Sequence, residues 1–222
     1  MDRNPKLANT NLIDCIPQTG ECPMGCAECF YNGGRFYRTL DKPLFPTPQE
    51  AAGKIVRINS GHDSNIQREY VIESTNQYEH RFFNTSHPRF DFPAPVVFTC
   101  NGRESLFVEC PKNVMFVRIR TNSWGLGVQD SLVEYYLAQG VPVVMTFMRY
   151  YNQANVVMSE DYEWRKSILN DYYCIKTEVL LEILKRYKGR GVRMCSTPWS
   201  SVCVDCRNCE LLYWECLRRM EE

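Results

Sequence analysis

Residues 113–147 constrain the fold of this chain most. Asn113-Val-Met-Phe-Val-Arg-Ile-Arg120 is an apolar, β-branched run closed by Thr121-Asn-Ser-Trp-Gly125. Asp130 to Gln139 then reads as a helix stopped by Gly140, and Val141-Pro-Val-Val-Met-Thr-Phe147 as the next strand. Strand–helix–strand is the sequence form of a parallel crossover, because parallel strands cannot be joined by a tight hairpin. Pro95-Val-Val-Phe-Thr-Cys100, ended by Asn101-Gly102, has the continuous pattern of a strand buried on both faces. Asn11-Leu-Ile-Asp14 is a plausible opening strand, His80-Arg-Phe-Phe83 a short aromatic one, and Val192-Arg-Met194 another that feeds Cys195. Helices are expected at Pro48–Lys54, where Thr47 is placed to cap and Pro48 opens the first turn, and over Asn65–Tyr78 and Thr177–Lys188. The repeated unit predicts an α/β barrel or partial barrel.

Composition narrows the class. The chain has 222 residues, enough for one α/β domain or one domain with a small appendage. Its formal charge is zero and its pI near 6.8, so no global field draws it to nucleic acid or anionic lipid. No run of eighteen apolar residues and no charged-then-apolar leader is present. The expectation is a protein with no membrane association and a cytoplasmic location.

Twelve cysteines then need a chemical reason. Disulfides are rare in a reducing compartment, so a Cys-rich chain there points to metal or catalysis. The cysteines gather at two ends. Near the start stands Cys15-Ile-Pro-Gln-Thr-Gly-Glu-Cys22-Pro-Met-Gly-Cys26-Ala-Glu-Cys29, whose last three are spaced C-x3-C-x2-C. Three thiolates at that spacing wrap one face of a [4Fe–4S] cluster and leave one iron open, and Gly25 lets the loop fold tightly. In a competing zinc reading Cys15 joins Cys22, Cys26 and Cys29 as a closed four-thiolate site. Near the end, Cys195-x7-Cys203-x2-Cys206-x2-Cys209 offers four thiolates, suited to tetrahedral zinc or to a further iron–sulfur cluster. Pro198-Trp199 and Trp214 are expected to screen that site, with Cys216 spare in a final amphipathic helix. The chain therefore divides into an α/β unit over 1–191 and a Cys-rich metal-binding tail over 192–222.

Cys22-x3-Cys26-x2-Cys29 resembles the cluster motif of the radical S-adenosylmethionine superfamily. Glu28 stands where that family usually has an aromatic residue, and Phe30 and Tyr31 follow. The resemblance implies a partial (β/α)6 TIM-like barrel with the cluster loop after the first strand. It implies a [4Fe–4S] cluster whose open iron chelates S-adenosylmethionine, and an electron donor such as a flavodoxin or ferredoxin. The implied reaction is reductive cleavage of the cofactor and hydrogen abstraction from a substrate. Cys-rich tails in such proteins carry auxiliary clusters. A compact barrel with few insertions leaves its mouth open to a large substrate, a polypeptide or a nucleic acid. The alternative class is a non-enzymatic zinc-binding or two-cluster electron-transfer protein.

Function in such folds collects in loops at the carboxyl ends of the strands. Ser60-Gly61-His62-Asp63 stands in a place comparable to the family's Gly-Gly-Glu element, which holds the cofactor's amino group, but is not that motif; it reads equally as a turn in which Asp63 caps the next helix. Arg118 and Arg120 alternate with apolar neighbours and so share one strand face, as cofactor-carboxylate ligands or as a salt-bridged surface. Asn122 is placed to bond ribose hydroxyls. Arg149-Tyr150-Tyr151 offers stacking or the edge of the core. His62, His80 and His87 have no metal-ligand spacing.

Overall fold

The computed structural model describes residues 4–26, 41–101, 106–151, 159–166, 171–197, 199 and 202–222. After a 3-10 turn at Pro5–Leu7 come β1 (Leu12–Cys15), α1 (Pro48–Ala51), β2 (Ile55–Ile58), α2 (Arg68–Ser74), β3 (Arg81–Thr85), β4 (Val96–Cys100) and β5 (Val114–Thr121). They are followed by α3 (Leu126–Ala138), β6 (Val143–Phe147), β7 (Tyr150–Tyr151), β8 (Tyr162–Arg165), β9 (Tyr172–Ile175), α4 (Thr177–Tyr187), β10 (Arg193–Cys195), α5 (Cys203–Cys206) and α6 (Asn208–Glu221).

Seven strands form one sheet in the order β1-β2-β3-β4-β5-β6-β10, every neighbouring pair parallel. The sheet curls into a half-barrel compatible with a partial TIM-like barrel, with one strand more than the six expected. Its convex face packs on α2, α3 and α4: Val56, Phe83, Phe98, Val117, Ile119, Met145 and Phe147 meet Val71, Leu132, Tyr136, Leu180 and Tyr187 in one core. A β7-β9-β8 antiparallel sheet lies between β6 and α4, with Trp124 against Tyr150 and Tyr162. Tyr150 is buried there, at the edge of the core.

The concave face is built in layers. Leu12, Ile55, Phe82, Val97, Phe116 and Val144, one from each of β1–β6, make an apolar layer with Leu212, Tyr213 and Cys216 of α6. Successive side chains of a strand alternate faces, so the same face is met again two residues on. There it turns polar in every strand: Asp14, Arg57, Asn84, Thr99, Arg118 and Thr146. An irregularity at Val96/Val97 leaves Met115 as the extra residue of β5, which keeps Phe116, Arg118 and Arg120 on the inner side.

The tail belongs to this core. β10 pairs with β6, and α6 covers the apolar layer, so residues 192–222 complete the sheet and its inner packing. Arg219 of α6 donates to the carbonyls of Lys112 and Val114 at 3.2 and 2.6 Å. α5 lies on the Pro5–Leu7 turn, and Asn11 donates to Glu210 at 2.9 Å, so the two ends of the chain meet below the first strand. Among the described residues, no helix is long and apolar enough to cross a membrane.

Candidate functional site

The polar layer opens into a cavity of about 220 Å³ at the carboxyl ends of the strands. Its walls repeat the period of the sheet: Arg57 and Asn59 from the β2 side, Thr99 and Asn101 from β4, Arg118 and Arg120 from β5, Thr146 and Met148 from β6. Cys22 and Cys26 line one part of it, and Cys195, Cys203, Cys206 and Cys209 another. Two groups of thiols separated by some 170 residues of sequence thus border a single space. Cys29, with Glu28, Phe30 and Tyr31, lies outside the described residues.

The first loop is shaped by its glycines. Gly20 and Gly25 sit at φ 74° and 51°, the left-handed region that a Cβ disfavours. Asn101 Nδ2 donates to Cys26 Sγ at 3.0 Å, and the backbone carbonyl of Asn101 accepts from Arg120. Cys15 takes no part. It is fully buried on the convex side of β1, in the core with Val71 and Tyr78, and burial pushes its thiol up to about 12. The opposite side chain of that strand, Asp14, faces inward and meets Arg57 at 2.6 Å.

Ser60, Gly61, His62 and Asp63 all line the cavity, and two of them are held by the fold. The His62 ring is hydrogen-bonded through Nε2 to the Gly20 carbonyl at 2.9 Å, which ties this loop to the cysteine loop. Asp63 accepts from Asn65 N (2.9 Å), Thr85 Oγ1 (2.7 Å), Ser86 N (2.6 Å) and Ser86 Oγ (3.0 Å). Its carboxylate therefore joins the loops after β2 and β3 as a turn residue, but it does not cap the next helix as expected: the N-cap position of α2 is Gln67, with no side-chain cap. Arg120 borders the cavity, but Asn122 does not: its Oδ1 accepts from Gly125 N at 2.7 Å and Gln129 Nε2 at 3.0 Å at the start of α3.

Other wall residues were not singled out in the sequence. Asn59 and Asn84 are buried, and their amide nitrogens are engaged by Ser64 Oγ (3.2 Å) and the Ile58 carbonyl (2.8 Å). Their Oδ1 atoms, with Ser60 Oγ and Thr146 Oγ1, are buried without a hydrogen-bond partner. Buried oxygens of this kind are costly unless a ligand or water meets them. The period-two switch from apolar to polar in each strand was the sequence signal for Asn84, Thr99 and Thr146.

At the tail end, Cys195 accepts a hydrogen bond from Cys206, which pulls its thiol pKa down against burial, and Arg118 and Arg57 add to the effect. Cys206, as the donor, is pushed up, and burial drives Cys209 up to about 11. Lys6 is brought down to about 8 by burial, with Arg149 and Arg57 acting in the same direction. Among the described residues, no three Cys, His, Asp or Glu side chains are gathered closely enough to hold a metal ion. The donor chemistry nevertheless suits one: four thiols border one cavity, with Lys6, Arg57 and Arg118 on the same walls. Trp214 does not screen them. Because α6 turns Leu212 and Tyr213 to the sheet, Trp214 falls on its outer side against His80 at 4.9 Å, 43% exposed, and Trp199 is 57% exposed. No protein-family model matches the chain, and neither a curated protein nor a solved structure does.

Proposed function

We propose that this chain is a radical S-adenosylmethionine enzyme in which Cys22, Cys26 and Cys29 hold a [4Fe–4S] cluster with one open iron. The observation that carries this reading is the position of Cys15, buried in the convex core on the far side of β1 from the cavity. With that thiol out of reach, the closed four-thiolate zinc alternative loses its fourth ligand. When bound, the cluster and S-adenosylmethionine supply one-electron cleavage of the sulfonium and a 5′-deoxyadenosyl radical that takes hydrogen from the substrate.

The chain's own residues would bind and orient. The unpartnered Oδ1 atoms of Asn59 and Asn84 and the Ser60 hydroxyl would accept from the cofactor's amino group, and Arg120, on the same cavity wall, would meet its carboxylate. Asn101, held through its carbonyl by Arg120, steadies Cys26. Asp63 keeps the loops after β2 and β3 in one arrangement, so these groups are set before any ligand arrives. Cys195, Cys203, Cys206 and Cys209 hold a second, fully ligated centre, read as an auxiliary iron–sulfur cluster with zinc as the alternative. The electron comes from a flavodoxin- or ferredoxin-like donor, and the substrate is a polypeptide or nucleic acid reached from the cavity mouth. The location is cytoplasmic, in keeping with eleven described cysteines that are all free thiols.

The test is anaerobic reconstitution, an iron count, and assay of the reduced protein for 5′-deoxyadenosine without added substrate. Slow formation of that product is expected. A fully loaded protein that neither binds S-adenosylmethionine nor yields the product is an electron carrier, and the enzyme reading is then wrong.

A further inference from the structure

We infer that Lys6 and Arg118 are the charge-balancing residues of a thiolate-bound metal centre set into the floor of the cavity; this rests on the tail thiols binding a metal, as proposed above. Cys195, Cys203 and Cys209 pack on the inner apolar layer, beneath the polar ring rather than outside the barrel. Arg118 rises from that layer: its guanidinium carbon lies 5.6 Å from the ring centroid of Phe116, and it donates to a neutral partner, Thr99 Oγ1, at 3.4 Å. Lys6 comes from the opposite side, on the Pro5–Leu7 turn against which α5 is laid. Both cations line the cavity with all four thiols. Arg57 is nearby too, but its charge is matched by Asp14 at 2.6 Å.

Four thiolates around a divalent ion, or around a cluster core of equal charge, leave a net charge of about −2 in a half-buried place. Such a charge is costly to bury unless cations stand beside it. Thr99 does not use the charge of Arg118, and the turn at Pro5–Leu7 carries Lys6 to the one element that bears two of the thiols. The cations are therefore positioning residues: they act through their charge, and they set how tightly the thiolates hold their metal.

Cobalt(II) titration of the full chain decides this, in a Cys22→Ser/Cys26→Ser/Cys29→Ser background so that only the tail responds. Thiolate-to-cobalt absorption reports the number of sulfur ligands, and its saturation gives the affinity. The parent is expected to show a tetrahedral four-sulfur spectrum. Arg118→Met and Lys6→Met should each keep that spectrum while weakening cobalt binding by about 10- to 100-fold, the usual effect of removing an outer-shell partner. Arg118→Lys, which retains the charge, should recover most of the loss. Unchanged affinity in both Met variants overturns the inference alone. A changed spectrum, or no recovery with Lys, overturns it as well, because the residue then shapes the site rather than balancing its charge. A parent that shows no thiolate bands removes the tail centre itself, and that outcome is distinct from the others.

Discussion

Asp14 and Arg57 form a two-point ion pair across adjacent parallel strands: Nε donates to Oδ1 at 2.6 Å and Nη2 to Oδ2 at 3.2 Å. They are register partners in the pairing of β1 with β2, and both are buried. Asn4 adds a third hydrogen bond to Asp14 Oδ2 at 2.9 Å. Removing one member leaves the other's charge largely buried and unmatched. Asp14→Ala should therefore cost about 3–5 kcal/mol of unfolding free energy. The double variant Asp14→Leu/Arg57→Leu should cost clearly less, because no unpaired charge remains. Urea unfolding of the three proteins measures this, and equal losses in the single and double variants would mean the pair is only packing.

Cys15 and Cys26 should behave oppositely when replaced. Cys15→Ala is expected to retain the iron of the reconstituted amino-terminal site, since its thiol lies in the convex core. Cys26→Ala should lose it. Iron counted per chain in anaerobic preparations distinguishes the two, and equal loss in both would make the site a closed four-thiolate centre.

Alkaline pH should weaken the reduced, metal-free protein. Burial pushes the thiols of Cys15, Cys100 and Cys110 from 9.0 up to about 12. Their stabilising effect is thus complete below the unfolded value near 9.0 and is lost as pH climbs from there through about 12. The urea midpoint should fall beyond about pH 9, where these three thiols begin to ionise in the unfolded chain. Cys15→Val, which cannot ionise, should flatten part of that fall; a midpoint indifferent to pH in the unsubstituted protein would contradict the burial argument.

Asn122 offers a separation of stability from the proposed cofactor binding. Its side chain secures Gly125 N and Gln129 at the start of α3, so Asn122→Ala should lower stability by about 0.5–2 kcal/mol. S-adenosylmethionine binding by the folded variant, read by equilibrium dialysis, should be unchanged. Weakened binding at full stability would return Asn122 to the cofactor site.

The parallel sheet could be read from the chain because each of its long strands is a continuous apolar run, which only burial on both faces explains. Pro95–Cys100 and Asn113–Arg120 correspond to β4 and β5 almost residue for residue. α3 begins at Leu126, ahead of the expected Asp130, because Asn122 and Gln129 anchor its first turn in the absence of a capping side chain at Gly125. The β7-β9-β8 sheet escaped notice because its strands have two to four residues and are rich in tyrosine, too short for a period to register. The site was half legible. Spacing singled out the thiols, but their common cavity depends on β10 taking the seventh place in the sheet, a long-range pairing that no local pattern encodes. The polar ring was written in each strand as an apolar residue followed two places later by a polar one, and only its repetition across six strands makes it significant.

The cover that α6 gives the inner layer has a consequence for synthesis. β1 to β6 pair in chain order, so each strand can join its predecessor as it leaves the ribosome, and α2 and α3 arrive in time to cover the outer face. The inner face must wait. Leu12, Ile55, Phe82, Val97, Phe116 and Val144 stay bare until residues 208–221 have been made. A nascent chain halted just after β10 would carry a finished convex side and an exposed apolar trough, a natural client for chaperones and a hazard for aggregation.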